Sequence, residues 1–295
     1  MSVRAASVGY MDNLMVRGLY QLKPTLPYVP GACGAGVVTE RGSRIQDVCV
    51  GDRVSFLNYY GGFAEEVVTT CHSLVQLPED MDFEQGAAQR LTYAPAFFAL
   101  VVRGRIQKGE TLVVTGATGG VGSAAVQLGL RLGATVIAVV GSPEKAEAAL
   151  NSGAHHIIVY GEEPIRESVK TLTGGRGADV LLDVIGGDVF DELTHCVAPM
   201  GRILVMGFTS GQIPSVTANL ILLKNAAVVG VFFGGWGMGK NFDEVRRANQ
   251  ELLALHSERP LIVDIGHRFP IREAVRALSM VVERSTIGKI VLVAD

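Results

Sequence analysis

The sequence predicts an α/β protein in which a doubly wound parallel sheet is inserted into a second, β-rich domain. Three observations point there. Between Leu112 and Phe233, six short β-branched runs alternate with helical stretches, the pattern of repeated βαβ units. A glycine-dense turn, Gly116-Ala117-Thr118-Gly119-Gly120-Val121-Gly122, follows the first run and opens the first helical stretch. The flanking segments pattern differently, with many glycines and prolines before the block and a glycine-rich loop after it. These shifts place domain boundaries at 1–93, 94–233 and 234–295, with the third segment returning to the first.

In chain order, the first ninety residues carry short strand candidates such as GAGVVTE and DRVSFL and no long amphipathic helix. The six central strands are LVVTG, ATVIAVVG, HIIVY, ADVLLDVIG, GRILVMG and AVVGVFF. Helices are predicted between them over 121–132, 143–150, 164–172, 190–197 and 217–223. Pro143 and Pro164 suit the first turn of a helix, where a missing N–H costs nothing. After Phe233 come the loop GGWGMG, a helix over 244–256, a short strand, a helix over 271–283 and a last strand, KIVLV. No repeat, low-complexity tract or long linker separates the domains.

Composition narrows the class of function. At 295 residues, 48% hydrophobic and with 36 glycines, the chain has ample core and many tight turns. A net charge of -3 gives no bulk attraction to nucleic acid or to an anionic membrane. No apolar stretch approaches the roughly 18 residues of a membrane span, and the opening MSVRAASVGYMD lacks the features of a secretory signal. A cytoplasmic protein with small-molecule partners is therefore expected, without nucleic acid or membrane. Cys33, Cys49, Cys71 and Cys196 show no C-x-x-C spacing, and the adjacent His155 and His156 point to opposite faces of a strand. No metal site is expected.

The glycine turn carries the chemistry. Glycines let the backbone approach a pyrophosphate and let the helix pack on the strand, while the first amides of the helix attract the anion. Ala117 stands where the commonest fingerprint has its first glycine, so the match is A-x-G-x-x-G. Thr118, Gly119, Gly120 and Val121 are the candidate phosphate-binding residues. About twenty residues on, where NAD enzymes place an acid on the ribose, the second strand ends in Gly141-Ser142-Pro143-Glu144-Lys145. The acid is missing. Gly141 leaves room for a 2′-phosphate, Ser142 can donate a hydrogen bond and Lys145 can supply charge, which favours NADPH over NADH. A solvated helix charge between Glu144 and Glu147 accounts equally well for Lys145.

TGATGGVGSAAVQLGLRLGATVIAVVGSPEKAE, with GVVTERGSRIQDVCVGDRVSF, GGFAEEVV and the terminal GKIVLV, resembles the zinc-independent quinone oxidoreductases of the medium-chain dehydrogenase/reductase superfamily. The resemblance spans essentially the whole chain. It implies a Rossmann domain inserted in a GroES-like β-barrel domain, and a homodimer through the last Rossmann strand. It also implies that Ser142, Lys145, Tyr160 and Arg284 hold the 2′-phosphate, and that Gly207, Phe208 and Phe232 lie at the nicotinamide. Zinc-dependent relatives carry ligands at the positions of Gly9, Ala32 and Cys33, and a four-cysteine lobe, none of which is present.

The implied reaction is NADPH-dependent hydride transfer to a quinone or an α,β-unsaturated carbonyl, with Tyr10 the best polar candidate at the acceptor. Asp12, Arg17, Tyr20, Tyr59 and Tyr60 are its candidate neighbours. Three departures alter the cleft: Gly9 replaces an Asn, Cys33 a Glu and Pro95 a Thr. The chain also starts inside what resembles an early strand of the first domain, so that domain is expected to be incomplete or completed differently. Two alternatives stand beside a quinone reductase: an enoyl or other double-bond reductase of the same superfamily, and a non-catalytic NADPH-binding protein.

Overall fold

The protein is described from a computed structural model covering residues 1–237, 241–283 and 286–294. Its first strand, β1 (Ser2–Val8), is buried along most of its length and leads into α1 (Tyr10–Val16). Strands β2 (Cys33–Val37), β3 (Arg53–Leu57) and β4 (Leu74–Gln76) follow, then α2 (Phe83–Arg90), which Asp82 caps by accepting the Gln85 N–H at 2.7 Å. Next, α3 (Tyr93–Phe97) runs into a π-helical turn, Phe98–Arg103. Pro95 is the third residue of α3, where its missing N–H breaks no helical bond.

The middle of the chain alternates without interruption. It runs β5 (Thr111–Thr115), α4 (Gly120–Arg131), β6 (Thr135–Val140), α5 (Pro143–Asn151), β7 (His156–Val159), α6 (Ile165–Leu172), β8 (Ala178–Asp183), α7 (Asp188–Cys196), β9 (Val197–Val205), α8 (Ala218–Lys224) and β10 (Ala227–Gly230). The chain ends with α9 (Phe233–Gly237), α10 (Phe242–Glu258), β11 (Ile265–Pro270), α11 (Ala274–Glu283) and β12 (Lys289–Val293). All six central strands and their five helices are where the sequence expects them, most ends shifted by one or two residues, but β9 starts four residues earlier than GRILVMG and β8 and β10 end three residues sooner than their runs. Pro143 is the first residue of α5, but Pro164 is the cap of α6 rather than part of its first turn. Its extended backbone, φ -67° and ψ 125°, lies outside the helix.

The chain forms two compact units, Met1–Ala94 with Gly234–Asp295, and Pro95–Phe233. The second unit is a six-stranded sheet in the order β10-β9-β8-β5-β6-β7, parallel throughout. The order reverses beside β5, and that switch point opens a crevice at the carboxyl ends of β5 and β8. Val113, Val139, Ile158, Leu181, Leu193 and Ile203 are fully buried in its core, which explains why these strands read as continuous apolar runs. Helix α6 closes one face through Ile165 and Val169.

The first unit is a six-stranded sheet, β11-β12-β1-β2-β3-β4. Its neighbours are antiparallel except for β11 and β12. Strand β1 is central, flanked by β12 and β2. Val3, Val8, Phe56, Ile290 and Leu292 form its core with α11. No described helix is long and apolar enough to cross a membrane.

Candidate functional site

The glycine turn joins β5 to α4 at the switch point. Gly116 has φ +60°, a left-handed conformation that strains any residue with a Cβ. Gly122 is needed for space: a Cβ there would lie 2.1 Å from the Gly116 carbonyl oxygen. Gly119 caps α4, so the amides of Gly120, Val121 and Gly122 fall in the first helical turn, where no intrahelical acceptor reaches them. Beneath them Ala117 is fully buried and its N–H donates to Val139 O, 3.3 Å away. The result is an anion cradle at the N-terminus of a twelve-residue helix.

A second group assembles at the ends of β6 and β7. The Tyr160 ring lies 3.4 Å from where a Cβ of Gly141 would be, so the glycine admits the ring to this corner. Ser142 caps α5 and Lys145 is its third residue. The Ser142 hydroxyl is already engaged by the exposed Glu144 carboxylate and lowers its pKa. Donation from Ser142 to a phosphate, as expected from sequence, therefore requires it to leave Glu144. Arg284 lies outside the described residues. His155 accepts the Val136 N–H on Nδ1 at 3.0 Å, a structural role.

The crevice is held by a residue the sequence reading did not single out. Asp183 is fully buried at the end of β8 and accepts hydrogen bonds from Thr115 Oγ1 (2.9 Å), Ile185 N (3.0 Å) and Gly186 N (3.0 Å). Thr115 in turn accepts the Val184 N–H. One carboxylate thus fixes the β5 and β8 ends together, and burial raises its pKa. The loop after β9 zips onto this frame through Thr209 N to Val184 O and Ser210 N to Ile185 O. Gly207 and Phe208 lie on that loop, and Phe208 is 37% exposed. Phe232 is 51% exposed, whereas its neighbours Val231 and Phe233 are buried.

In the other unit, Tyr10 opens α1 half-buried, with no hydrogen bond to its hydroxyl among the described residues. Asp12 is fully enclosed instead of lining an opening. Its carboxylate takes the Gly9 and Ala32 amides at 2.8 and 2.9 Å. Burial pushes its pKa up to about 6, against the pull of those amides and of Lys289. Lys289 is also buried and donates to Val8 O at 2.7 Å, with its pKa lowered by burial. Arg17 is exposed. Tyr59 donates to Gly234 O at 3.1 Å, Tyr20 is pushed up to about 12 by burial, and Tyr60 stacks edge-on with Tyr28.

Gly9 and Ala32 offer no side-chain donor, and the Cys33 thiol is buried, pushed up to about 12 and donates to Ala87 O. Two buried cations, Lys289 and Arg90, also bear on Cys33. No group of three metal-ligating side chains occurs among the described residues.

Comparison with known proteins shows the family and the fold. Residues 1–79 match the alcohol dehydrogenase GroES-like domain, and residues 120–252 match the zinc-binding dehydrogenase family. Quinone oxidoreductase-like protein 2 of Bos taurus is 37% identical over 292 residues, covering 99% of this chain and 83% of that protein. Quinone oxidoreductase of Pseudomonas aeruginosa is 33% identical, covering 98% and 89%. The crystal structure of Escherichia coli quinone oxidoreductase complexed with NADPH superposes with a TM-score of 0.89 at 28% identity, covering 99% and 90%. The chain belongs to the quinone oxidoreductase family of the medium-chain dehydrogenase/reductase superfamily.

Proposed function

We propose that the protein is an NADPH-dependent reductase that transfers hydride to a quinone or an α,β-unsaturated carbonyl without a metal ion. The observation that carries this reading is the anion cradle at Gly116–Gly122 combined with the corner at the end of β6. There Gly141, Ser142, Lys145 and Tyr160 occupy the place of the ribose acid, with the nearby Glu144 carboxylate held on the Ser142 hydroxyl until a phosphate displaces it. A carboxylate would bond the ribose 2′-hydroxyl and repel a 2′-phosphate, whereas a lysine and two hydroxyls suit the phosphate. Arg284 joins this set by resemblance. The metal-free reading rests on the donor set around Gly9, Ala32 and Cys33 and on the cations beside it.

When bound, the nicotinamide supplies the hydride. The chain's own residues bind and orient. The first amides of α4 would donate hydrogen bonds to the pyrophosphate, and the Asp183 network keeps the loop carrying Gly207 and Phe208 in register with β8. The exposed rings of Phe208 and Phe232 supply apolar surface that excludes water from the ring. Tyr10 is the candidate donor to the acceptor's carbonyl oxygen, where negative charge develops. A double-bond reductase would share every one of these residues and differ in the acceptor.

A homodimer through β10 is part of the same reading. That strand ends its sheet, pairs with β9 alone among the described residues, and exposes Val228. An open apolar edge favours pairing with another copy. Titration of the protein with NADPH and NADH tests the cofactor assignment. Tighter binding of NADPH by about tenfold or more supports it. Equal or tighter NADH refutes it.

A further inference from the structure

A small cleft lies wholly within the Met1–Ala94, Gly234–Asp295 unit. Its lining is mostly apolar, with Val75, Leu77, Met81, Leu252, Leu253 and Leu261 among the polar Ser55, Gln76, Gln89 and Asn249. Arg90, the last residue of α2, lines it with only 7% of its surface exposed. Its Nη1 donates to Asn249 Oδ1 at 2.7 Å, and its buried Nε–H has no acceptor. A guanidinium held this way is charged at neutral pH, since burial lowers its pKa only to about 10.

The charges around it do not balance. The group that bears on Arg90 electrostatically is the Cys33 thiol, which burial keeps neutral. The carboxylate of this region, Asp12, is committed to the Gly9 and Ala32 amides and to the field of Lys289. Lys289 has Asp12 to face, but no carboxylate bears on Arg90 among the described residues, and an enclosed charge without a counterion is costly. With Asn249 occupying Nη1, the Nε side of the guanidinium is left to pair with a carboxylate from its edge.

We infer that this cleft binds a small aliphatic monocarboxylate, with its carboxylate on Arg90 and its alkyl chain along the leucine wall. A single guanidinium with one amide neighbour matches one negative charge, and the walls match hydrocarbon; neither suits a phosphate dianion. The site shares no residue with those assigned to the cofactor, so it stands or falls independently of the proposed reaction.

Calorimetric titration of the full chain with straight-chain acids from acetate to hexanoate tests this. Affinity should rise about fourfold per added CH₂ until the cleft is full. The primary amide of each acid should bind about tenfold more weakly, having no charge for the guanidinium. Arg90→Met should remove the preference for acid over amide. Leu253→Trp, which fills the cleft and leaves Arg90 in place, should abolish binding of both. NADPH affinity, measured on the same samples, should not change. Absence of binding by any acid, equal binding of acids and amides, or unchanged binding to Leu253→Trp would each overturn the inference. The last two tests need no Arg90 variant, so they decide the question even if Arg90→Met does not fold.

Discussion

Gly122→Ala isolates the contribution of the phosphate turn. A Cβ at this position would lie 2.1 Å from Gly116 O, 2.8 Å from Gly116 C and 3.0 Å from Ala117 Cα. All three are backbone atoms, and a carbon–oxygen contact needs about 3.3 Å, so the turn and the helix must separate by about 1 Å. Overpacking of this kind costs about 1–3 kcal/mol. For a domain of this size, each kcal/mol lowers Tm by about 2–4 °C. The same displacement takes the first amides of α4 off the pyrophosphate, so NADPH affinity should fall about tenfold or more, at least about 1.4 kcal/mol. Two other glycines separate the effects. At Gly129 a Cβ would meet the Leu112 side chain at 2.6 Å, far from the turn, so Gly129→Ala should lose stability and keep affinity. At Gly119 the nearest atom is 3.3 Å away and the backbone is extended, so Gly119→Ala should be mild in both. Thermal melts and calorimetric NADPH titrations read the two quantities. The reasoning is refuted if Gly122→Ala binds NADPH as the wild type does, or if Gly129→Ala loses as much affinity.

Three further outcomes follow from the site. Asp183→Asn puts an amide NH₂ where a buried carboxylate oxygen accepts N–H and O–H groups, and should cost about 3 kcal/mol in urea unfolding; a near-neutral result would remove Asp183 from the frame. Asp12 titrates at about 6 folded against 3.8 unfolded, so the folded state holds the proton more tightly. Its contribution is most favourable below the unfolded value and declines by about 3 kcal/mol as pH rises through the folded value. Lys289→Met removes a charge that lowers the Asp12 pKa, so it should destabilise by about 3 kcal/mol near neutral pH. That gap should shrink towards about pH 5, where Asp12 is protonated. Denaturation at both pH values checks this, and a pH-independent gap contradicts it. Lys145→Ala should weaken NADPH binding by about 1–3 kcal/mol and NADH binding far less; equal losses would remove Lys145 from the phosphate site.

The parallel sheet was legible because its strands are buried on both faces and its helices on one. Runs such as ATVIAVVG and the spacing of Pro143 and Gly116 then carry nearly all the information. The glycine turn was legible for the same local reason, since its steric demands fall within seven residues. Tertiary roles were harder to read. Asp183 had a signal, a carboxylate inside the apolar stretch VLLDVIG, and Lys289 at the head of KIVLV had a similar one. Arg90 had none: it looks like any cation in the last turn of a helix, and only the fold encloses it against Asn249, 159 residues away. Asp12 read as a neighbour of Tyr10 at the acceptor, because nothing local reveals that the Ala32 amide closes over it. The hydroxyl of Ser142 was read without its rival, Glu144, two residues on.

Steady-state oxidation of NADPH, with NADH alongside, against a panel of quinones and enones tests the central claim most directly. The account predicts NADPH oxidation that depends on the acceptor, exceeds that of NADH and persists in the presence of a metal chelator. Tight NADPH binding without oxidation by any acceptor would contradict it and leave a cofactor-binding protein that performs no hydride transfer.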